Sequence, residues 1–395
     1  MSNTLMVLLI GGRIQPSILL TLNQQPDVVA ILASRDSRGS AVYAQNLLTK
    51  LLPNSKILEP RFVSPYQPSQ TSAEIDGFLA EYPGTRAAVS LTGAPMPMGV
   101  GAVESAKRHG LPAYYFNTLG GEVIDLVSEQ TSSAIQLKVN VEQLLDTYDL
   151  KIAPRQKPLP NYLTTPEQRQ GMVDLFVAQP RAASELLDWV RRKADLLQIR
   201  TIRKKWRDEF GDAHWTLMES LHKHGILVEL DRSRANQVSF QLAGSGEAHY
   251  LAGQWLEEYI YQSAQQAQID GQPAFDSFRW RLQVLSGGAE REIDFIGVHR
   301  GVALIASAKS GTDRWNKGNV DELAAVANLL GGLYCIQLYV TNAPKPLEGA
   351  KDWQSYLAFE EQAKKQKTVV VTGDQLGNLS DLLANQFPRP TFGLR

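Results

Sequence analysis

The chain has 395 residues, room for two large domains and a small third at about 100 to 200 residues each, and its 43% hydrophobic and 21% charged composition is that of an ordinary globular protein. A formal net charge of −1 gives no global attraction to nucleic acid, so any such binding has to come from local basic patches. The single cysteine, Cys335, excludes an intrachain disulfide and a thiol metal site, and its apolar neighbours Leu333, Tyr334 and Ile336 read as a buried strand in a reducing compartment. Residues 1–10 carry no basic stretch and no run approaches about 18 apolar residues, so a cytoplasmic protein without a membrane span is expected.

From residue 4 to about residue 150, apolar runs alternate with amphipathic stretches. Residues 5–10, 28–33, 87–91 and 113–116 read as buried strands, and residues 40–51, 72–79 and 97–108 carry helical spacing, the second opening on a weak capping signal at Ser72 and Glu74. That order predicts a parallel sheet with helices on both faces. Residues 151–163 hold Pro154, Pro158 and Pro160 without periodicity and read as a linker. Thr165, Pro166 and Gln168 form a strong helix start, opening a helical region to about residue 223. Short strands at 226–230 and 237–242 around a turn at 231–236 complete a small helical and winged module. Beyond residue 246 a helix (247–265), three strands (279–286, 292–298 and 303–308), a helix (320–330) and a strand (336–341) predict a mixed sheet flanked by helices.

Chemistry concentrates in residues 292–311. They read as a hairpin turning at His299, Arg300 and Gly301, and strand alternation puts Ser307 and Lys309 on one face. A loop over 299–302 would bring Asp294 opposite Ser307, so a carboxylate, a hydroxyl and an amine share one patch. An Asp and a Lys inside apolar strands require a mutual ion pair or a purpose. Phosphodiester hydrolysis assisted by a divalent cation suits them, and so does a plain structural bridge. Upstream, helical projection leaves Glu257 beyond one edge of the apolar face and Glu258 beyond the other, and periodicity does not choose between them. Glu257 leans over Gly253, whose missing side chain leaves space for a metal or phosphate, or for close helix packing.

Two basic stretches are candidates for nucleic acid. Arg200, Arg203, Lys204, Lys205 and Arg207 surround Trp206, as a backbone-steering cluster or as a solvated helix face. Arg314, Trp315 and Lys317 follow the presumed catalytic strand and are placed to touch substrate. In the first domain, Gly11 and Gly12 end one strand and Thr92, Gly93 and Ala94 follow another, both leading to helix N-termini able to receive phosphate. The GxGxxG spacing is absent and the second strand ends in Ser34 rather than an acid, which disfavours an ordinary dinucleotide site.

Residues 253–257 (GQWLE), Asp294, Lys309 and residues 329–333 (LLGGL) resemble the nuclease domain of the CRISPR ancillary nucleases, which join a CARF (CRISPR-associated Rossmann fold) domain to a PD-(D/E)xK nuclease. Residues 91–102 (LTGAPMPMGVGA) resemble the CARF loop Thr-Gly-Gly-Thr-Lys-Pro-Met, with Thr92, Gly93, Pro97 and Met98 retained and Met96 in place of the lysine. The resemblance implies an α/β chain: a Rossmann-like CARF domain over 1–150, a linker and winged-helix-like module over 151–245, and a PD-(D/E)xK restriction-endonuclease-like domain over 246–395. It implies Glu257 and Asp294 as metal-side carboxylates, with Ala308 in the metal set, Lys309 as the catalytic lysine, and Mg2+ or Mn2+ as cofactor. Ser307 stands where the family usually has an acid and supplies no charge, and Glu292, two residues before Asp294, is a candidate substitute. For the first domain the resemblance implies a cyclic oligoadenylate activator, most often cyclic tetraadenylate, at Gly11, Gly12, Ser34, Thr92, Gly93, Ala94 and Met98, bound across a homodimer. The function implied is an activated endonuclease cutting DNA and/or RNA in type III CRISPR antiviral defence. The rival is a ligand-responsive regulator that binds nucleic acid through the winged module and has lost cutting with Ser307.

Overall fold

A computed structural model describes residues 3–118, 121–132, 137–158, 162–193, 202–205, 211–231, 237–311 and 313–387. The chain divides into two compact units. One is Met1–Lys151 with Val298–Ala303 and Phe387, and the other is Ile152–Gly297 with Leu304–Gln386.

The first unit runs β1 (Thr4–Ile10), α1 (Gln15–Gln24), β2 (Val28–Ser34), α2 (Arg38–Leu51), β3 (Lys56–Ile57), β4 (Arg61–Val63), α3 (Pro68–Glu81), β5 (Arg86–Ser90), α4 (Met96–His109), β6 (Ala113–Asn117), β7 (Glu122–Asp125), β8 (Gln130–Ser132) and α5 (Val141–Thr147). Its sheet has the order β3-β2-β1-β5-β6-β7-β8, with β4 also paired to β2. Strands β3 to β6 pair in parallel, while β7 and β8 extend the edge antiparallel. Continuous apolar strands belong in such a sheet because both faces are covered. Leu5, Val7 and Leu9 pack with Phe78 and Met98 on one side; Met6, Leu8 and Ile10 pack with Ile18 and Leu48 on the other. Helix α1 was not legible in the sequence, since Gln15, Ser17 and Thr21 are buried along with its leucines and erase the amphipathic contrast. Helix α3 begins at Pro68 rather than Ser72, whose buried hydroxyl accepts from Arg108 inside the helix instead of capping it.

The second unit opens on the short strand β9 (Lys151–Ile152). Helix α6 (Pro166–Ala178) follows, its capping box between Thr165 and Gln168 formed as expected. The helical region expected to reach residue 223 is broken into α7 (Pro180–Lys193), β10 (Ile202–Lys205) and α8 (Asp212–Lys223). Pro180 disfavours helical backbone at Gln179 and ends α6. Strands β10, β11 (Leu227–Asp231) and β12 (Gln237–Leu242) form a three-stranded antiparallel sheet in the order β10-β12-β11. Arg203, Lys204 and Lys205 therefore lie on a strand and not on a helix face, while Arg200, Trp206 and Arg207 are outside the described residues.

The helix expected at 247–265 is α9 (Ser245–His249), a π turn (Tyr250–Gln254) and α10 (Trp255–Gln266). The small ribbon β13 (Gln268–Ile269) and β14 (Gln272–Pro273) leads to β15 (Ser277–Ser286), β16 (Ala289–His299), β17 (Val302–Lys309), α11 (Lys317–Leu329), β18 (Cys335–Thr341), α12 (Trp353–Lys365), β19 (Thr368–Val371) and α13 (Leu379–Asn385). The sheet order is β19-β18-β17-β16-β15-β9. Arg300 (φ 49°) and Gly301 (φ 78°) are both left-handed, so β16 and β17 join through a two-residue turn of the I′ kind that matches strand twist. Cys335 is free and buried at the start of β18.

Candidate active site

Strand alternation delivers Asp294 and Ser307 to one face as expected. One Asp294 oxygen, Oδ2, accepts from the Ala308 backbone N–H at 2.8 Å and from the Ser307 hydroxyl at 3.2 Å. Burial pushes the Asp294 carboxyl up, and the Ala308 N–H and the positive charge of Lys309 act against that. A direct Asp294–Lys309 bridge is not formed among the described residues; the carboxylate is held by the neighbouring strand instead.

The structure separates the two glutamates of α10. Glu258 is buried and takes a two-pronged ion pair from Arg169, with Nη2–Oε1 at 2.9 Å and Nε–Oε2 at 3.1 Å. Arg169 also donates to Thr164 O and lies over the Tyr162 ring at 4.4 Å, so this pair fastens the start of α6 to α10. Glu257 faces the hairpin acids. Burial first, and then the negative charges of Asp294 and Glu292, push its carboxyl up to about 7, with Arg281 and Lys309 opposing. Its Oε2 is buried without a hydrogen-bond partner among the described residues.

Gly253 lies against Ser310. A side chain there would begin 2.9 Å from Ser310 Oγ, and that hydroxyl fills the gap by donating to Ala252 O at 3.0 Å. The atom nearest that position is this serine hydroxyl after β17, and not an atom of a second helix. Arg314 and Trp315 are likewise structural: Arg314 donates to Asp188 at 2.7 Å and to Ser184, while Trp315 packs edge-on against Tyr356 and Phe359. Lys317, at the start of α11, stays exposed.

Two residues that sequence reasoning missed belong to the site. Arg281 on β15 approaches Glu257 Oε2 at 3.6 Å. Glu322 on α11 joins Glu292, Asp294, Ser307 and Lys309 in lining a cleft of about 210 Å³ against Leu323 and Val326. Glu292, expected as a stand-in acid, is also ion-paired to Lys157. Among the described residues no group of three or more Asp, Glu, His or Cys is close enough to hold a metal. The oxygens that could meet a cation there belong to two raised carboxylates, Glu257 and Asp294. Two carboxylates are what a hard cation such as Mg2+ takes from a protein beside water and phosphate oxygens.

In the first unit, β1 and β5 are parallel neighbours whose chains leave to opposite sides, which makes their carboxyl ends a topological switch point. Gly11 and Gly12 follow β1 there, and Thr92, Gly93 and Ala94 follow β5. The loops touch: a side chain at Gly11 would begin 2.0 Å from Gly93 O, and one at Gly93 (φ +92°) 2.5 Å from Arg13 O. Gly12 meets nothing within 4 Å and is exposed. The buried Thr92 side chain accepts from Phe116 N and its carbonyl from Ser17 Oγ, so it ties the loop to β6 and α1. Ser34 caps the turn after β2 by accepting from Ser37 N. Met98 is fully buried in the core, which removes its side chain from any ligand surface; Met96, by contrast, is 83% exposed.

No protein-family model matches the chain, and no curated protein matches it. Among solved structures it is similar to Can2 from Sulfobacillus thermosulfidooxidans in complex with cyclic tetra-adenylate, with a TM-score of 0.74 and 16% identity over 97% of this chain and 96% of that one. It is also similar to protein VC1899 from Vibrio cholerae, with a TM-score of 0.72 and 14% identity over 97% of this chain and 98% of that one. At such identities the likeness establishes a shared fold along nearly the whole of each chain. No helix among the described residues is long and apolar enough to cross a membrane.

Proposed function

We propose that the chain is a metal-dependent endonuclease of the PD-(D/E)xK kind, switched on by a cyclic oligoadenylate bound at the carboxyl edge of the first sheet. The observation that carries this reading is the convergence of Glu257, Asp294 and Lys309 in one unit, two carboxylates raised by burial beside a lysine whose charge acts on both. The shared fold with Can2, a protein solved with cyclic tetra-adenylate, makes that ring the first activator to try.

Glu257, Asp294 and the Ala308 carbonyl would hold Mg2+ or Mn2+. When bound, the ion would polarise the phosphate and acidify a water. Lys309 orients the attacking water and stabilises the charge that develops on phosphate oxygen. Ser307 fixes the rotamer of Asp294 through its hydroxyl without adding charge. The three-helix and three-stranded segment between the two sheets serves as a winged-helix-like module, and a two-fold ring matches a homodimer acting in type III CRISPR defence.

The test is cleavage of plasmid DNA, single-stranded DNA and single-stranded RNA with Mg2+ or Mn2+, with and without cyclic tetra-adenylate, beside Lys309→Ala. Cutting that requires metal and activator and disappears in Lys309→Ala supports the nuclease. The absence of a three-acid group among the described residues favours one other reading, a ligand-responsive nucleic-acid-binding regulator with an inert nuclease fold. Tight activator binding with no cutting in either metal would select it.

A further inference from the structure

Arg281 approaches Glu257 without closing onto it, and its placement is costly. It sits inside β15 with φ 53°, a left-handed backbone that bulky residues avoid and that turns a side chain out of the regular strand alternation. Its side chain is only 11% exposed. Nε lies 3.6 Å from Glu257 Oε2, an ion-pair approach too long for a hydrogen bond, and Nη1 is buried without a hydrogen-bond partner among the described residues. A guanidinium serving only to neutralise Glu257 would close onto it as a fork of two short hydrogen bonds, as Arg169 does on Glu258. Arg281 instead keeps Nη1 unspent beside Glu257, a carboxyl that also feels the charges of Asp294 and Glu292. Buried N–H donors without acceptors are disfavoured unless a ligand completes them.

We infer that Arg281 is a further catalytic residue, donating to a non-bridging oxygen of the phosphodiester and so clamping the nucleic-acid backbone at the acids. The inference rests on the nuclease reading for the identity of the anion, a phosphodiester of DNA or RNA. Its planar fork matches phosphate geometry in a way that lysine does not. The phosphate supplies the acceptor that Nη1 lacks, and leaves Glu257 free to face the cation.

The experiment is equilibrium binding of labelled single-stranded and duplex oligonucleotides to the full chain in EDTA, with and without cyclic tetra-adenylate, across a salt series. It compares the wild type with Arg281→Gln, Arg281→Lys, Glu257→Gln and the double variant Glu257→Gln/Arg281→Gln. Arg281→Gln should weaken binding by about tenfold or more and reduce the salt slope by about one. Arg281→Lys, which keeps the charge and guards against a folding artefact, should fall between. The loss should persist in the Glu257→Gln background. Unchanged affinity in Arg281→Gln, or a loss that vanishes once Glu257 is neutral, would overturn the inference and leave a simple counter-ion. Wild-type protein that binds with this Arg281 dependence but cuts nothing with Mg2+ or Mn2+ would sink the nuclease reading alone. A wild type that binds no oligonucleotide sinks both.

Discussion

Glu257 combines a buried carboxyl with two acidic neighbours, and the outcome can be read without substrate. In the folded chain its proton is held up to about 7, while an unfolded carboxyl releases near its ordinary 4.5. Between those values the folded state binds more protons, so this group's contribution to stability falls as pH rises, at about 1.4 kcal/mol per pH unit, and levels off above 7. Metal-free Glu257→Gln should match the wild-type melting temperature near pH 4.5 and exceed it by a few degrees at pH 8. A difference independent of pH would mean that Glu257 titrates normally. Ser307 gives a complementary prediction. Ser307→Glu adds a carboxylate beside Asp294 and should tighten Mn2+ binding about tenfold in titration calorimetry. Unaltered affinity would move the cation away from the hairpin.

The elements that carry these residues depend on packing that can be tested separately. At the π turn before α10, Gly253→Ala puts a methyl 2.9 Å from Ser310 Oγ and displaces that hydroxyl from Ala252 O. It should cost on the order of 1 kcal/mol in denaturant unfolding, most of it recovered in Gly253→Ala/Ser310→Ala. Strict additivity of the two changes would show that the serine is not what fills the gap. The Arg169–Glu258 pair joins α6 to α10. Arg169→Ala leaves Glu258 buried without its cation and should cost about 3–5 kcal/mol, whereas exchanging both for apolar residues should cost far less. Equal costs would mean that the aromatic contact of Arg169 with Tyr162 matters more than its charge.

For the molecule as a whole, the proposed activation has the first unit recognise its ligand through the touching loops at Gly11 and Gly93. Cyclic tetra-adenylate at about 100 times its Kd should stabilise the full chain by about 2.7 kcal/mol, seen as a rise in melting temperature. Gly93→Ala, with its positive φ and a methyl 2.5 Å from Arg13 O, should abolish that rise. A rise that survives the substitution would place the activator elsewhere.

Much of this architecture was legible in the sequence because it rests on local signals. The apolar runs of β1, β2, β5 and β6 mark a doubly covered parallel sheet, the Thr165–Gln168 box marks the start of α6, and period-two alternation aligned Asp294 with Ser307 before any fold was known. Tertiary structure alone decided what depends on residues distant in the chain. It assigned Glu258 to Arg169 and left Glu257 for the hairpin, filled the space at Gly253 with Ser310, and enclosed Met98 in the core. It also brought Arg281 from a separate strand to the acids. Periodicity records which face of an element is apolar, but the partner that meets a charged residue on that face is chosen only when the elements pack.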